Sequence, residues 1–161
     1  MKKTIILLAV ALCVMLPTLG HAQFDKGTTM LGPHIGFGYY GGALAIGGKL
    51  EVPVTKAGEA GPGVIGIGVR LDYLAIGDGY SLIGVAGTAN YHFKFGDGKW
   101  DPYLGLGLGY FSFSGGGFYG SSRVFVTGSA GIRYYFSRNT ALRAEFSSDL
   151  TYFVVGIDFG L

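Results

Sequence analysis

The sequence predicts an all-β fold: an eight-stranded antiparallel up-and-down transmembrane β-barrel behind a cleaved signal peptide. Three observations predict it. From residue 29 onward apolar residues alternate with small or polar ones at period two, the spacing of a strand whose faces meet different surroundings. Within the alternating segments, the charges fall on the glycine-rich face and none on the apolar face. Charged residues make up only 14% of the 161 and hydrophobic ones 49%, against about 25% charged in a typical soluble domain. No run after residue 20 approaches the roughly 20 apolar residues of a membrane helix.

Residues 1–22, "MKKTIILLAVALCVMLPTLGHA", read as the signal peptide. Lys2 and Lys3 precede an apolar core from Ile5 to Leu16, Pro17 breaks it, and Gly20 and Ala22 form a small-residue cleavage site before Gln23. The apolar core is short for a membrane anchor, and Leu12 is a poor neighbour for lipidation at Cys13. Removal of this segment takes away the single cysteine, so the mature chain, 23–161, has no disulfide or thiol chemistry. Loss of Lys2 and Lys3 leaves ten basic residues against ten acidic ones, and such a balance points to no nucleic-acid partner.

Eight strands follow, near 29–39, 43–54, 63–73, 81–95, 102–111, 123–136, 140–148 and 151–161. The first sets Ile35, Phe37 and Tyr39 against His34, Gly36 and Gly38. In the second, Leu44, Ile46, Leu50, Val52 and Val54 alternate with Ala45, Gly47, Lys49 and Glu51. The third sets Ile65, Ile67, Val69, Leu71 and Tyr73 against Gly66, Gly68, Arg70 and Asp72, and the fourth Ile83, Val85, Tyr91 and Phe93 against Thr88, Asn90, His92 and Lys94. The fifth has Leu104, Leu106 and Leu108 between Gly105, Gly107 and Gly109. The sixth opposes Val124, Val126, Ile132, Tyr134 and Phe136 to Thr127, Ser129, Gly131 and Arg133. The seventh opposes Leu142, Ala144 and Phe146 to Arg143 and Glu145, and the eighth Phe153, Val155, Ile157, Phe159 and Leu161 to Tyr152, Gly156, Asp158 and Gly160. Between them lie turn-forming stretches such as "KAGEAGPG", "GDG", "FGDGKWD", "SGGGFYGSS" and "SRN", of which Asp97-Gly98 is the strongest hairpin signal. Pro33 lacks a backbone donor and predicts a short or bulged first strand.

Alternation does not say which face points inward; a soluble lipocalin-like barrel would bury the apolar one. Here the other face is mostly Gly, Ala, Ser and Thr, which suits a crowded lumen better than a wetted exterior. Aromatics also gather toward two rims: Tyr39, Tyr40, Tyr73, Tyr80, Tyr110, Phe111 and Phe113 at one, Tyr91, Phe93, Phe95, Trp100, Tyr103, Tyr134 and Phe136 at the other. Two aromatic girdles around an aliphatic band fit a bilayer. Leu104, Leu106, Leu108, Val124, Val126, Phe153, Val155 and Ile157 are then expected to face lipid. Lys49, Glu51, Arg70, Asp72, Lys94, Arg133, Arg143, Glu145 and Asp158 are expected to pair as a lumen charge network, because an unpaired buried charge costs several kcal/mol.

The C-terminal "VVGIDFGL" resembles the assembly signal of bacterial outer-membrane barrels through Gly156, Phe159 and Leu161; Val154 stands at the usual polar position, and Leu161 where an aromatic is preferred. "DPYLGLGLGYF" is similar to a strand of small outer-membrane β-barrel domains of the OmpA and OmpX type. The resemblance covers essentially the whole mature chain. It implies a cell outer membrane, surrounding membrane lipid, both termini in the periplasm, and barrel-assembly machinery and periplasmic chaperones as partners in biogenesis. It places the external loops near 40–42, 74–80, 113–122 and 147–150, short for an adhesin. No peptidoglycan-binding domain is expected after the barrel, unlike in full-length OmpA-type proteins.

Enzymes occur on this fold, but the barrel enzymes need a serine activated by histidine. Only His34 and His92 follow the signal segment, and both read as lumen residues rather than catalytic ones. "GFGYYG", 36–41, matches a dinucleotide fingerprint without the helix that would give it meaning. Asp97 to Asp101 reads as a hairpin rather than a calcium site. No enzyme activity, cofactor or metal is expected. The expected function is a structural or interaction role with a plugged lumen. The alternatives are a narrow porin-like channel and a secreted lipocalin-like barrel for an apolar ligand.

Overall fold

The computed structural model describes residues 24–25, 27–94, 98–115 and 122–161. The signal-peptide expectation, with Cys13, lies outside these residues, as do Phe95, Asp97 and residues 116–121 of the third external loop. Eight strands form: β1 (Met30–Gly38), β2 (Leu44–Pro53), β3 (Val64–Gly77), β4 (Tyr80–His92), β5 (Trp100–Ser114), β6 (Ser122–Ser137), β7 (Thr140–Ser147) and β8 (Thr151–Gly160). Each pairs antiparallel with its sequence neighbour, and β1 pairs with β8 to close the barrel. Closure leaves no lateral edge where strands are matched in length.

Alternation sets the wall. In β1 the side chains from Met30 to Gly38 are buried and exposed in strict turn. The apolar face points outward: Leu106 is 71% exposed, Leu104 55% and Ile35 61%. That is the reverse of a lipocalin-like soluble barrel, which would fold these side chains inward.

The lumen is filled in three layers. At the end opposite the termini, Ala43, Ala45, Leu74, Leu82, Phe111 and Leu150 cluster, with Ile76, Phe113 and Phe125 packed against them. Phe24, Met30, Val64, Tyr135 and Ala141 form a second apolar layer at the termini end. Charged side chains occupy the space between.

Several expectations are corrected. The predicted 74–80 loop is much shorter: β3 runs to Gly77, and the turn is Asp78-Gly79, with φ of 50° and 78°. Positive φ at both central positions suits the twist of a two-residue hairpin. Pro33 neither shortens nor bulges β1. The strand spans nine residues, Pro33 pairs in register with Gly48, and the register shift falls at Phe37/Gly38. The missing donor shows instead at the closing seam, where the β8 partners skip Gly32 and Pro33.

Strand lengths are unequal. β6 has 16 residues and β7 only 8, and their ladder ends at Ser129–Ser147. One further pair of bonds joins Gly128 to Ser148, and above it residues 122–127 have no strand beside them on that side among the described residues.

Candidate functional site in the barrel lumen

Inward positions on β2, β3, β6, β7 and β8 bring Lys49, Glu51, Arg70, Asp72, Arg133, Arg143, Glu145 and Asp158 together, each no more than 2% exposed. Lys49 Nζ donates to Glu145 Oε2 at 2.7 Å and lies 3.9 Å from Glu51 Oε2. Arg70 donates from Nε to Asp72 at 2.8 Å, from Nη1 to Glu145 at 3.1 Å, and from Nη2 to Asp149. Arg133 bridges Glu51 at 2.5 Å and Asp158 at 2.6 Å, and Arg143 Nε reaches Asp158 at 3.0 Å. A buried charge requires this partnering, because desolvation of each ion is expensive and only close opposite charges offset it.

Histidines, an amide and aromatic groups extend the network. His34 Nε2 meets Asp72 at 2.8 Å, and its Nδ1 accepts from Arg143 Nη2 at 3.3 Å. His92 stands between two carboxylates, 2.8 Å from Asp101 and 3.0 Å from Glu51. Asn90 donates to Glu51 at 2.5 Å, and the Tyr103 hydroxyl donates to Glu145 at 2.5 Å. Lys49 sits 4.7 Å over the Tyr103 ring, and Arg133 5.3 Å from the rings of Phe24 and Tyr103. A cation over an aromatic face gains electrostatic attraction without needing a hydrogen-bond acceptor.

Lys94, two residues beyond the end of β4, donates to the Phe24 carbonyl at 2.9 Å, near the termini-end layer. Asp101, read from the sequence as part of a turn, lies inward on β5 and holds His92. Tyr103, Phe111 and Phe113, assigned to the rims, point into the lumen, Tyr103 at 1% exposure. Asp149, at the head of the β7–β8 connection, had no signal beyond its type.

The bare face of the strands makes room for these large groups. A methyl group added at Gly131 would strike the Tyr103 ring, at Gly109 the Phe125 ring, and at Gly32 the Asp158 carboxylate. A Gly131→Val variant is therefore expected to lose about 1–3 kcal/mol of stability through forced displacement of Tyr103. Chemical unfolding in detergent measures this, and an unchanged midpoint would mean that Tyr103 has another place to go.

The remaining predicted positions lie as follows. Leu104, Leu106, Leu108, Val124, Val126 and Ile157 are exposed on the outer wall, and Phe153 and Val155 are half-buried there. Gly156 faces Arg143 inside, Phe159 is half-buried, and the Leu161 amide donates to the Thr29 carbonyl at 2.8 Å. The described partners of both histidines are carboxylates, a guanidinium and aromatic rings. Among the described residues no group of three or more His, Cys, Asp or Glu is arranged to hold a metal ion.

No family model matches the sequence, and no curated protein matches it. Solved structures do. The N-terminal β-barrel domain of Pseudomonas aeruginosa OprF aligns over 85% of this chain and 99% of its own, at 14% identity and a TM-score of 0.64. A barrel from the de novo design of transmembrane β-barrels aligns over 86% of this chain and 99% of its own, at 18% identity and a TM-score of 0.64. The chain shares with these two structures the fold of a closed eight-stranded antiparallel transmembrane-type barrel.

Proposed function

We propose that this protein is an integral outer-membrane barrel with a structural or interaction role, its lumen plugged by paired charges rather than open to solutes. The supporting observation is the filled interior: two apolar layers enclose a belt of ion pairs joining β2, β3, β6, β7 and β8. The exposed band of Leu, Val and Ile gives the outer wall the character a bilayer requires. In this reading residues 1–22 direct export and are removed. Gly156, Phe159 and Leu161 then present the last strand to the barrel-assembly machinery after periplasmic chaperones deliver the chain. Lipid surrounds Leu104, Leu106, Leu108, Val124, Val126, Phe153, Val155 and Ile157, and the network carries no catalytic step.

Two measurements test it. Washed envelopes should retain the protein with the outer membrane, and its mobility on an SDS gel should shift on heating. Purified barrel in planar bilayers should give no large, steady conductance; such a conductance would replace the plug with the channel reading.

A further inference from the structure

The unequal lengths of β6 and β7 leave an open stretch of backbone. Gly128 directs both its N–H and its C=O toward the β7 side, to Ser148 Oγ and from Ser148 N, each at 2.9 Å. Because backbone groups alternate sides along an antiparallel strand, Val126 and Val124 direct theirs the same way, where no described strand lies. Phe125 and Thr127 bond toward β5. The stretch is not far out in solvent, since Val126 pairs with Leu108 and Val124 with Tyr110, at the upper edge of the aliphatic band. Val124 is 75% exposed and Val126 70%, among the highest of the large apolar residues. Unpaired backbone in or beside hydrocarbon is costly. Lysine, proline and inward charge, the usual protections of an edge, are missing from "RVFVT" (123–127), where Arg123 is the one charge.

We propose that this edge pairs antiparallel with the same edge of a second copy, about a two-fold axis at Phe125. The arrangement is self-complementary, as a two-fold interface must be. Val124 of each chain would exchange backbone bonds with Val126 of the other, and Arg123 would lie opposite Thr127, so no like charges oppose. The two outward valines would form β-branched cross-strand pairs, a favourable combination. The valines' position in the aliphatic band favours a membrane neighbour over a soluble strand, and a second copy is the neighbour that carries the matching edge. The proposal rests on the membrane reading above.

The test uses the full chain in a Cys13→Ser background, reconstituted alone in liposomes. Residues facing each other across a non-hydrogen-bonded antiparallel pair are close enough for a disulfide. Phe125→Cys should therefore give a covalent dimer on oxidation, and Leu142→Cys, on the outer wall of β7, should not. Val126→Pro removes only the open-side donor, which an edge tolerates. It should keep the heat-dependent mobility shift while abolishing chemical cross-linking of the otherwise native chain. Membrane-held, heat-shifting protein with no Phe125→Cys dimer, or cross-linking unaffected by Val126→Pro, overturns the proposal alone. So does a native-envelope adduct of Phe125→Cys whose mass is not twice the chain. Protein that washes off the membrane defeats the membrane reading itself.

Discussion

Arg133→Met is expected to lower the unfolding free energy by about 3–5 kcal/mol, the usual result of removing one partner from a buried ion pair. Arg133 is fully buried and serves Glu51 at 2.5 Å and Asp158 at 2.6 Å, with Asp101 at 3.6 Å. Methionine keeps much of the side chain's length, so the loss reports charge rather than a cavity. Glu51 would keep Lys49 and His92 beside it, and Asp158 would keep Arg143, which holds the effect within that range. Arg133→Lys should fall between, because an ammonium cannot reach both carboxylates with a planar fork. Pairing Arg133→Met with Asp158→Asn should recover part of the loss, since the second change removes a charge that the first left under-partnered. Urea unfolding in lipid or detergent gives all three values. A loss below about 1 kcal/mol, the scale of solvent-exposed pairs, would show the lumen to be wet and would sink the plug.

Leu106→Arg is expected to cost about 2–4 kcal/mol, and Tyr110→Arg about 0–1, because the penalty for a cation on a lipid-facing wall falls from midplane to interface. Leu106 is 71% exposed with Gly128 opposite it on β6, and Tyr110 is four pairs further toward the loop end, opposite Val124. The contrast between the two variants matters more than either value. Equal effects, or none, would mean that the wall meets water, leaving the 31 exposed large apolar side chains among the described residues, from Leu31 to Leu161, without a bilayer to explain them.

The strands were legible because period two runs through the segments, and parity alone assigns Lys49, Arg70, Arg133 and Glu145 to one face. The same parity also carried information that the reading did not use. Asp101, Tyr103, Phe111 and Phe113 share the odd positions of Gly105, Gly107 and Gly109, so extending the alternation to the ends of β5 would have turned all four inward. Residue type misled there: tyrosine and phenylalanine near a strand end suit an aromatic girdle as well as a lumen cap. The extent of β3 was hidden by "GDG", whose glycines can end a strand or form its hairpin. The Arg70–Asp149 contact depends on where the β7–β8 connection folds, and no spacing in one strand encodes that.

The order of the ladders also bears on how the chain assembles. Seven of the eight join strands adjacent in sequence, and only β1 with β8 links the two ends of the barrel. Neighbouring hairpins involve short loops and little closure entropy, whereas the final seam must bring distant segments together. Asp158 on β8 meets Arg133 and Arg143 on β6 and β7, and His34 on β1 meets Asp72 on β3, but His34 reaches Arg143 on β7 only where the wall is closed. The topology thus concentrates long-range order in one zipping event, at the seam where Pro33 withholds a donor.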